Sequence, residues 1–164
     1  MTVADFRQAA ATKDIDLAMA SLADGVVLHS PLTDRFTFNG KDEVRRLFET
    51  AYERFDGLSY DLVIGDGERR VLVGGGTAGG QPFEETLLLT VDDREKITEI
   101  ALFIRPLPGL TAVMAALGPA LAHRNGRSRL AAGVLRAMTA PLVAATRFGD
   151  RVGIKLALPR GQRG

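Results

Sequence analysis

The fold turns on Leu58 to Pro106, LSYDLVIGDGERRVLVGGGTAGGQPFEETLLLTVDDREKITEIALFIRP. The stretch divides at its turn residues into four extended segments, LSYDLVIGDG, RRVLVGGGTAGG, FEETLLLTVDD and KITEIALFIRP. Runs of this length, rich in Val, Ile, Leu and Thr and bounded by Gly, Asp and Pro, predict a meander of antiparallel strands. A strand lying against a globular core must curve, and bulges or glycines supply curvature. The Gly74 to Gly76 run inside a strand pattern is the expected place.

Upstream the period is helical. A helix through Arg7 to Ala11 is expected, capped by Thr2, and a second across Ile15 to Ala23 with Ile15, Met19 and Leu22 on one face, ended by Asp24-Gly25. VVLHS and RFTFNG read as two short strands separated by Pro31 and Asp34. A third helix over Asp42 to Phe55 puts Val44, Leu47, Phe48, Ala51 and Phe55 on one face. Helices first and strands afterwards indicate an α+β domain. Downstream, Pro106 and Pro108 lead into helical stretches over Leu110 to Leu121 and Ser128 to Phe148, and the final LPRGQRG reads as flexible.

Composition narrows the function classes. The chain has 164 residues and no cysteine, so disulfides, thiolate nucleophiles and cysteine metal sites are excluded. Two histidines, His29 and His123, lie far apart with no carboxylate at ligand spacing, so neither a metal nor another cofactor is expected. No apolar run is long enough to span a bilayer and no secretory signal is visible, which suits a cytoplasmic protein. From Pro119 onward there are nine basic residues and one acidic, Asp150, giving +8, while 12 basic and 19 acidic residues leave the first 118 at −7. This shift suggests a pocket domain over 1–118 and a basic extension over 119–164.

The order of elements, with DIDLAMASLADGVVLHSP followed by FNGKDEVRRLFETAYERF, resembles the nuclear transport factor two-like superfamily, and most of all its SnoaL-like and ketosteroid-isomerase-like branches. The resemblance covers about Val3 to Leu107. It implies a cone-shaped curved antiparallel sheet wrapped around N-terminal helices and open at one end to a small hydrophobic molecule, with dimerisation through the outer sheet face. Here the C-terminal helical extension is added. The lining implied for the cavity is Phe6, Leu28, Leu87, Leu89, Ile100, Leu102 and Ile104.

The resemblance also identifies what is missing. The steroid isomerases use an aspartate base before the proline of the first strand, a tyrosine donor in the first helix and a protonated aspartate from the meander. Aligning HSP through Pro31 places Ser30 at the base position, Phe6 at the tyrosine, and Leu87, or Thr86 with a different turn length, at the second donor. Serine, phenylalanine and leucine cannot fill those roles.

Two other groups remain as candidates for moving a proton. His29 carries an imidazole, the side chain suited to moving protons near neutral pH, but neighbours in a strand face opposite ways, so it reaches the pocket only if a bulge reverses the parity that would otherwise turn Ser30 inward. Glu85 shares the side of Leu87 and Leu89 by alternation, or else sits at an exposed strand end. Arg105 is a candidate clamp for a ligand carboxylate at the rim, or a partner for a surface acid. The run Gly74 to Gly79 satisfies a nucleotide-loop spacing, but Pro82 and another strand follow it where a phosphate site needs a helix.

One reading is therefore a protein that binds a small hydrophobic molecule, or binds and converts it by cofactor-independent isomerisation, cyclisation or hydrolysis. The other reading is a non-catalytic ligand-binding or interaction module. In the extension, Leu130, Val134, Met138, Pro141, Leu142, Ala145 and Phe148 share one apolar sector of a helix kinked at Pro141, with Arg129, Arg136 and Arg147 nearly opposite. Packing on the domain or a second subunit, a lid over the cavity, and peripheral contact with an anionic membrane all fit that helix. Nucleic acid is not expected, since no recognition motif accompanies the basic residues.

Overall fold

The computed structural model describes residues 3–157; the cap expected at Thr2 and the flexibility expected of residues 158–164 lie outside the described residues. Two helices, α1 (Val3–Thr12) and α2 (Ile15–Ser21), precede strand β1 (Leu22–His29), the short β2 (Thr37–Asn39) and helix α3 (Gly40–Arg54). The meander follows as β3 (Phe55–Ile64), β4 (Arg69–Ala78), β5 (Gln81–Val91) and β6 (Ile97–Arg105), and the chain ends in α4 (Leu107–Arg124) and α5 (Arg129–Ala157). The α+β class and its curled sheet are as expected.

The six strands form one sheet in the order β2-β1-β6-β5-β4-β3. Its pairings are antiparallel except that β1 runs parallel to β6, because the chain returns from β1 through α3 and the meander before β6 docks beside it. The second helix ends earlier than its periodicity suggests. Asp14 caps it by accepting from the Asp16 and Leu17 backbone N–H groups at 3.1 and 3.0 Å. Leu22, placed on its apolar face by spacing alone, instead begins β1 and pairs with Ile97. Phe55, expected to end the third helix, likewise opens β3.

The core lies between the concave face of the sheet and the helices. Phe6, Ala9 and Ala10 of α1 and Val44, Leu47 and Ala51 of α3 are buried against Leu28, Leu72, Leu87, Leu89 and Ile100 of the sheet. What lets the sheet curl around them is the glycine run of β4. Register shifts between Asp56 and Ser59 and between Tyr60 and Leu62 mark bulges in β3 opposite it. The strands close in so tightly that a Cβ on Gly74 would lie 1.9 Å from the Ser59 carbonyl oxygen, and one on Gly75 2.2 Å from that of Phe83.

The two C-terminal helices pack differently from each other. α4 is continuous across residue 118 and packs on α3 and the meander, so the expected division falls inside a helix that belongs to the core assembly. α5 runs unbroken through Pro141 and lies along α4. It uses a face of small residues for this, with Thr139 buried and the Thr146 hydroxyl 2.8 Å from that of Thr111. The apolar sector, open in the sequence to the domain, a second subunit, the cavity or a membrane, points outward. Among the described residues no helix is long and apolar enough to cross a membrane.

Because a methyl at Gly74 must displace backbone, Gly74→Ala is expected to cost about 3 kcal/mol or more in urea denaturation. Gly25→Ala, where a Cβ meets nothing within 4 Å, is the control and should stay within about 0.5 kcal/mol of the parent.

Candidate functional site

Between the helices and the concave sheet is a cavity of about 170 Å³ with almost wholly apolar walls. Leu28, Leu87, Ile100, Leu102 and Ile104 form its sheet wall, in line with the alternation that turns every second strand residue inward. Phe6 of α1 and Phe48 and Tyr52 of α3 form the helical wall, with the rings of Phe6 and Phe48 tilted at 5.8 Å. Val113, Leu117, Gly118 and Leu121 of α4 close a further side, and no described residue of α5 lines the cavity. The segment after β1 completes the lining with Ser30, Pro31, Leu32 and Phe36, the last two exposed on their outer sides.

Of the residues expected to line the pocket, Phe6, Leu28, Ser30, Leu87, Ile100, Leu102 and Ile104 do so. Leu89 does not: it is completely buried one step further along β5, in core that the cavity does not reach. Arg105 does not either. Its side chain is 77% exposed and pairs with Glu84 across the β5–β6 ladder at 3.3 Å, as a rim residue turned to solvent does.

His29 is also corrected. Ser30 takes the inward position, and His29 points to the outer face, where its Nε2 lies 2.8 Å from Glu99 Oε1 on the neighbouring strand. Both side chains are about half exposed, so the pair is a surface contact of β1 with β6. No bulge reverses the parity at this end of β1, where Leu28 and His29 pair regularly with Ile100 and Ala101.

Glu85 faces inward. It is 4% exposed, and its carboxyl group lines the cavity among leucine, isoleucine and aromatic side chains. The Tyr60 hydroxyl donates to Glu85 Oε1 in a short hydrogen bond. The two residues are not on adjacent strands: Tyr60 of β3 pairs with Gly74 of β4, which pairs with Glu85 of β5. Gly74 carries no side chain, so the phenol can lie across it to reach the carboxyl group two strands away.

The electrostatics follow from burial. Desolvation raises the Glu85 pKa from 4.5 to about 7, and the Tyr60 hydrogen bond, which favours the charged form, offsets part of the rise. Tyr60 is pushed well above the ordinary phenol range by its own burial and by the neighbouring carboxylate, so it remains a donor. Tyr52 is raised in the same direction by burial, then by Asp14 and Glu85. The cavity therefore holds one group that gains and loses a proton near neutral pH and two phenols that keep theirs. Among the described residues no cluster of three or more His, Asp or Glu side chains is placed to hold a metal ion.

Tyr60 and Tyr52 are functional candidates that reading the sequence missed. The signal was present for Tyr60, since LSYDL alternates Leu58 and Tyr60 onto one side, and both are buried. Matching the donors to Phe6 and to Leu87 or Thr86 overlooked it.

Residues 3–100 match the SnoaL-like domain family, and the chain belongs to that family. Its structure is similar to a steroid delta-isomerase from Pseudomonas aeruginosa, with a TM-score of 0.68 and 22% identity over 76% of this chain and 91% of that one. It is similar also to an NTF2-like protein of unknown function from Cytophaga hutchinsonii, with a TM-score of 0.54 and 17% identity over 65% and 88%. A protein with a ketosteroid isomerase-like fold from Catenulispora acidiphila, in complex with trimethylamine, gives 0.54 and 15% over 72% and 95%. At these identities the structures share the fold. No curated protein sequence matches the chain.

A carboxyl group with a raised pKa makes stability fall as pH rises. Below about 4.5 it is protonated whether folded or not and costs nothing; between about 4.5 and 7 the unfolded chain releases the proton first, so each step up in pH favours unfolding. Above 7 the penalty is constant, on the order of 3 kcal/mol. Glu85→Gln is thus expected to be close to the parent in urea stability at pH 4 and to gain on it progressively up to pH 8.

Proposed function

We propose that this chain binds a small, largely hydrophobic molecule bearing a carbonyl group and moves one proton on it without a cofactor, with Glu85 as acid and base. What carries this reading is the Tyr60–Glu85 pair, a lone carboxyl group on the wall of an otherwise apolar cavity with its proton affinity tuned near neutrality. Catalytic acids and bases work best with a pKa near the working pH. Membership of the SnoaL-like family and the fold shared with a steroid delta-isomerase support isomerisation or cyclisation as the reaction class.

In this mechanism the Glu85 carboxylate takes the proton from the carbon next to the carbonyl. The C–H electron pair becomes the C=C of an enolate, and the carbonyl oxygen takes up the negative charge. The Tyr52 hydroxyl, which lines the same cavity and stays protonated, donates to that oxygen. Glu85, now neutral, returns its proton to a different carbon for isomerisation; for cyclisation the enolate carbon attacks a second carbonyl carbon in the same molecule, the π pair of that C=O moves to its oxygen, and the resulting alkoxide takes the proton from Glu85. Tyr60 touches Glu85 rather than substrate and is a positioning residue. Apolar walls exclude water and select by shape.

The base is on the meander, so Ser30 in the usual base position is no obstacle. The steric test uses Gly118, which lines the cavity and where an added Cβ would meet no atom within 4 Å. With a Δ5-3-ketosteroid as probe and the absorbance of the conjugated enone as readout, Glu85→Gln is expected to lower kcat by about 10²-fold or more while the probe still binds. Tyr60→Phe should move the basic pKa of the kcat/KM profile upward by about one unit, since a hydrogen bond to the charged form is lost. Gly118→Leu should abolish binding with the fold intact. Full turnover by Glu85→Gln would refute the assignment of the base, and a parent that binds the probe without converting it would leave the binding module as the better reading.

A further inference from the structure

The outward face of α5 is an exposed apolar surface that the cavity does not use. On it Leu130 is 78% exposed, and Met138 and Phe148 are each 67% exposed. Soluble monomers rarely leave a continuous apolar strip of this kind in water. We propose that this face is an interface with a second copy of the chain, formed by antiparallel pairing of the two α5 helices.

The spacing calls for a helix as the occupant. Val134, Met138, Pro141, Ala145, Phe148 and Val152 follow one another at steps of four, three, four, three and four residues. That 3.5-residue period is the seam by which one helix winds on another, and it extends over roughly 27 Å at 1.5 Å per residue. The flanking rows are Ala137, Ala144 and Arg151 on one side and Leu135, Leu142 and Gly149 on the other, so the strip widens in apolar and small residues until Arg151 in its last turn.

The seam is also complementary to itself. Antiparallel pairing centred level with Val143 sets Met138 against Phe148 of the second copy, Val134 against Val152, and Pro141 against Ala145, each pair occurring twice about the two-fold axis. The large side chains meet at the flanks and the small ones at the centre. A two-fold interface requires such self-complementarity.

Charge placement favours a second copy over a lipid surface. Arg129, Arg136 and Arg147 lie on the side of the helix away from the seam. Arg136 lines the cleft between α4 and α5, and Arg147 donates to the Gly79 carbonyl oxygen at 3.3 Å. With the seam against a bilayer these arginines would face away from the headgroups, whereas between two copies they stay clear of each other.

Sedimentation velocity on the full chain tests this. The parent is expected to be a dimer, and Ala145→Glu and Met138→Glu, at solvent-facing positions, should each raise the dimer Kd at least tenfold with unchanged circular dichroism. Phe103→Glu, on the outer face of the sheet, should leave the dimer intact. Because the chain has no cysteine, orientation can be read by oxidation: Val134→Cys and Val152→Cys proteins should cross-link when mixed and not when separate. A parent that stays monomeric at tens of micromolar would overturn the proposal, as would one that floats as a monomer with phosphatidylserine vesicles. A dimer broken by Phe103→Glu but not by Ala145→Glu, or cross-linking of either cysteine variant alone, would overturn it too.

Discussion

The contact on which this molecule depends is the close approach of backbone at Gly74. It sits in one row of the sheet between Tyr60 and Glu85, and the carbonyl of Ser59 occupies the space that any side chain would need. The same absence of a side chain does two things. It lets the sheet curl tightly enough to enclose a cavity, and it leaves a gap across which a phenol on one strand meets a carboxyl group two strands away. Shape and chemistry thus share a single origin in the polymer.

A buried carboxyl group opposes folding at neutral pH, and the core must offset it. The apolar side chains of α1, α3 and the sheet do so, and α4 adds to them from outside the meander by sealing one side of the cavity. Arg124 near the end of α4 bonds to Glu49 and Glu53 on α3 at 2.6 and 2.5 Å, which fixes that wall to the helix opposite. A destabilising group retained inside an otherwise apolar cavity has a chemical use more readily than a structural one.

Much of this was legible in the sequence, for identifiable reasons. Four turn-bounded runs gave the meander, the glycine run its curvature, and period-two alternation the inward facing of Leu87, Leu102 and Ile104, while for Glu85 an exposed strand end stayed open. What failed was whatever depended on tertiary pairing. The end of α2 was misplaced because Leu22 fits a helical face as well as it fits a strand, and only its pairing with Ile97 decides between them. The Tyr60–Glu85 contact needs the registers of three strands and two bulges, which no local pattern specifies. Leu89 and Leu87 are identical in type and parity, and only the depth of the cavity separates core from lining. For α5 the apolar sector was legible but its facing was left open, since the helix packs by small residues that a hydrophobicity argument passes over.

At the centre of the proposed chemistry is Glu85 as a buried acid poised near neutrality by burial against one phenol. Its direct test is a titration of the Glu85 side-chain carboxyl by carbon-13 NMR, assigned with Glu85→Gln. The expected midpoint is near 7, well above the ordinary 4.5, with a further rise in Tyr60→Phe. A midpoint near 4.5, unmoved by loss of the Tyr60 hydroxyl, would contradict it.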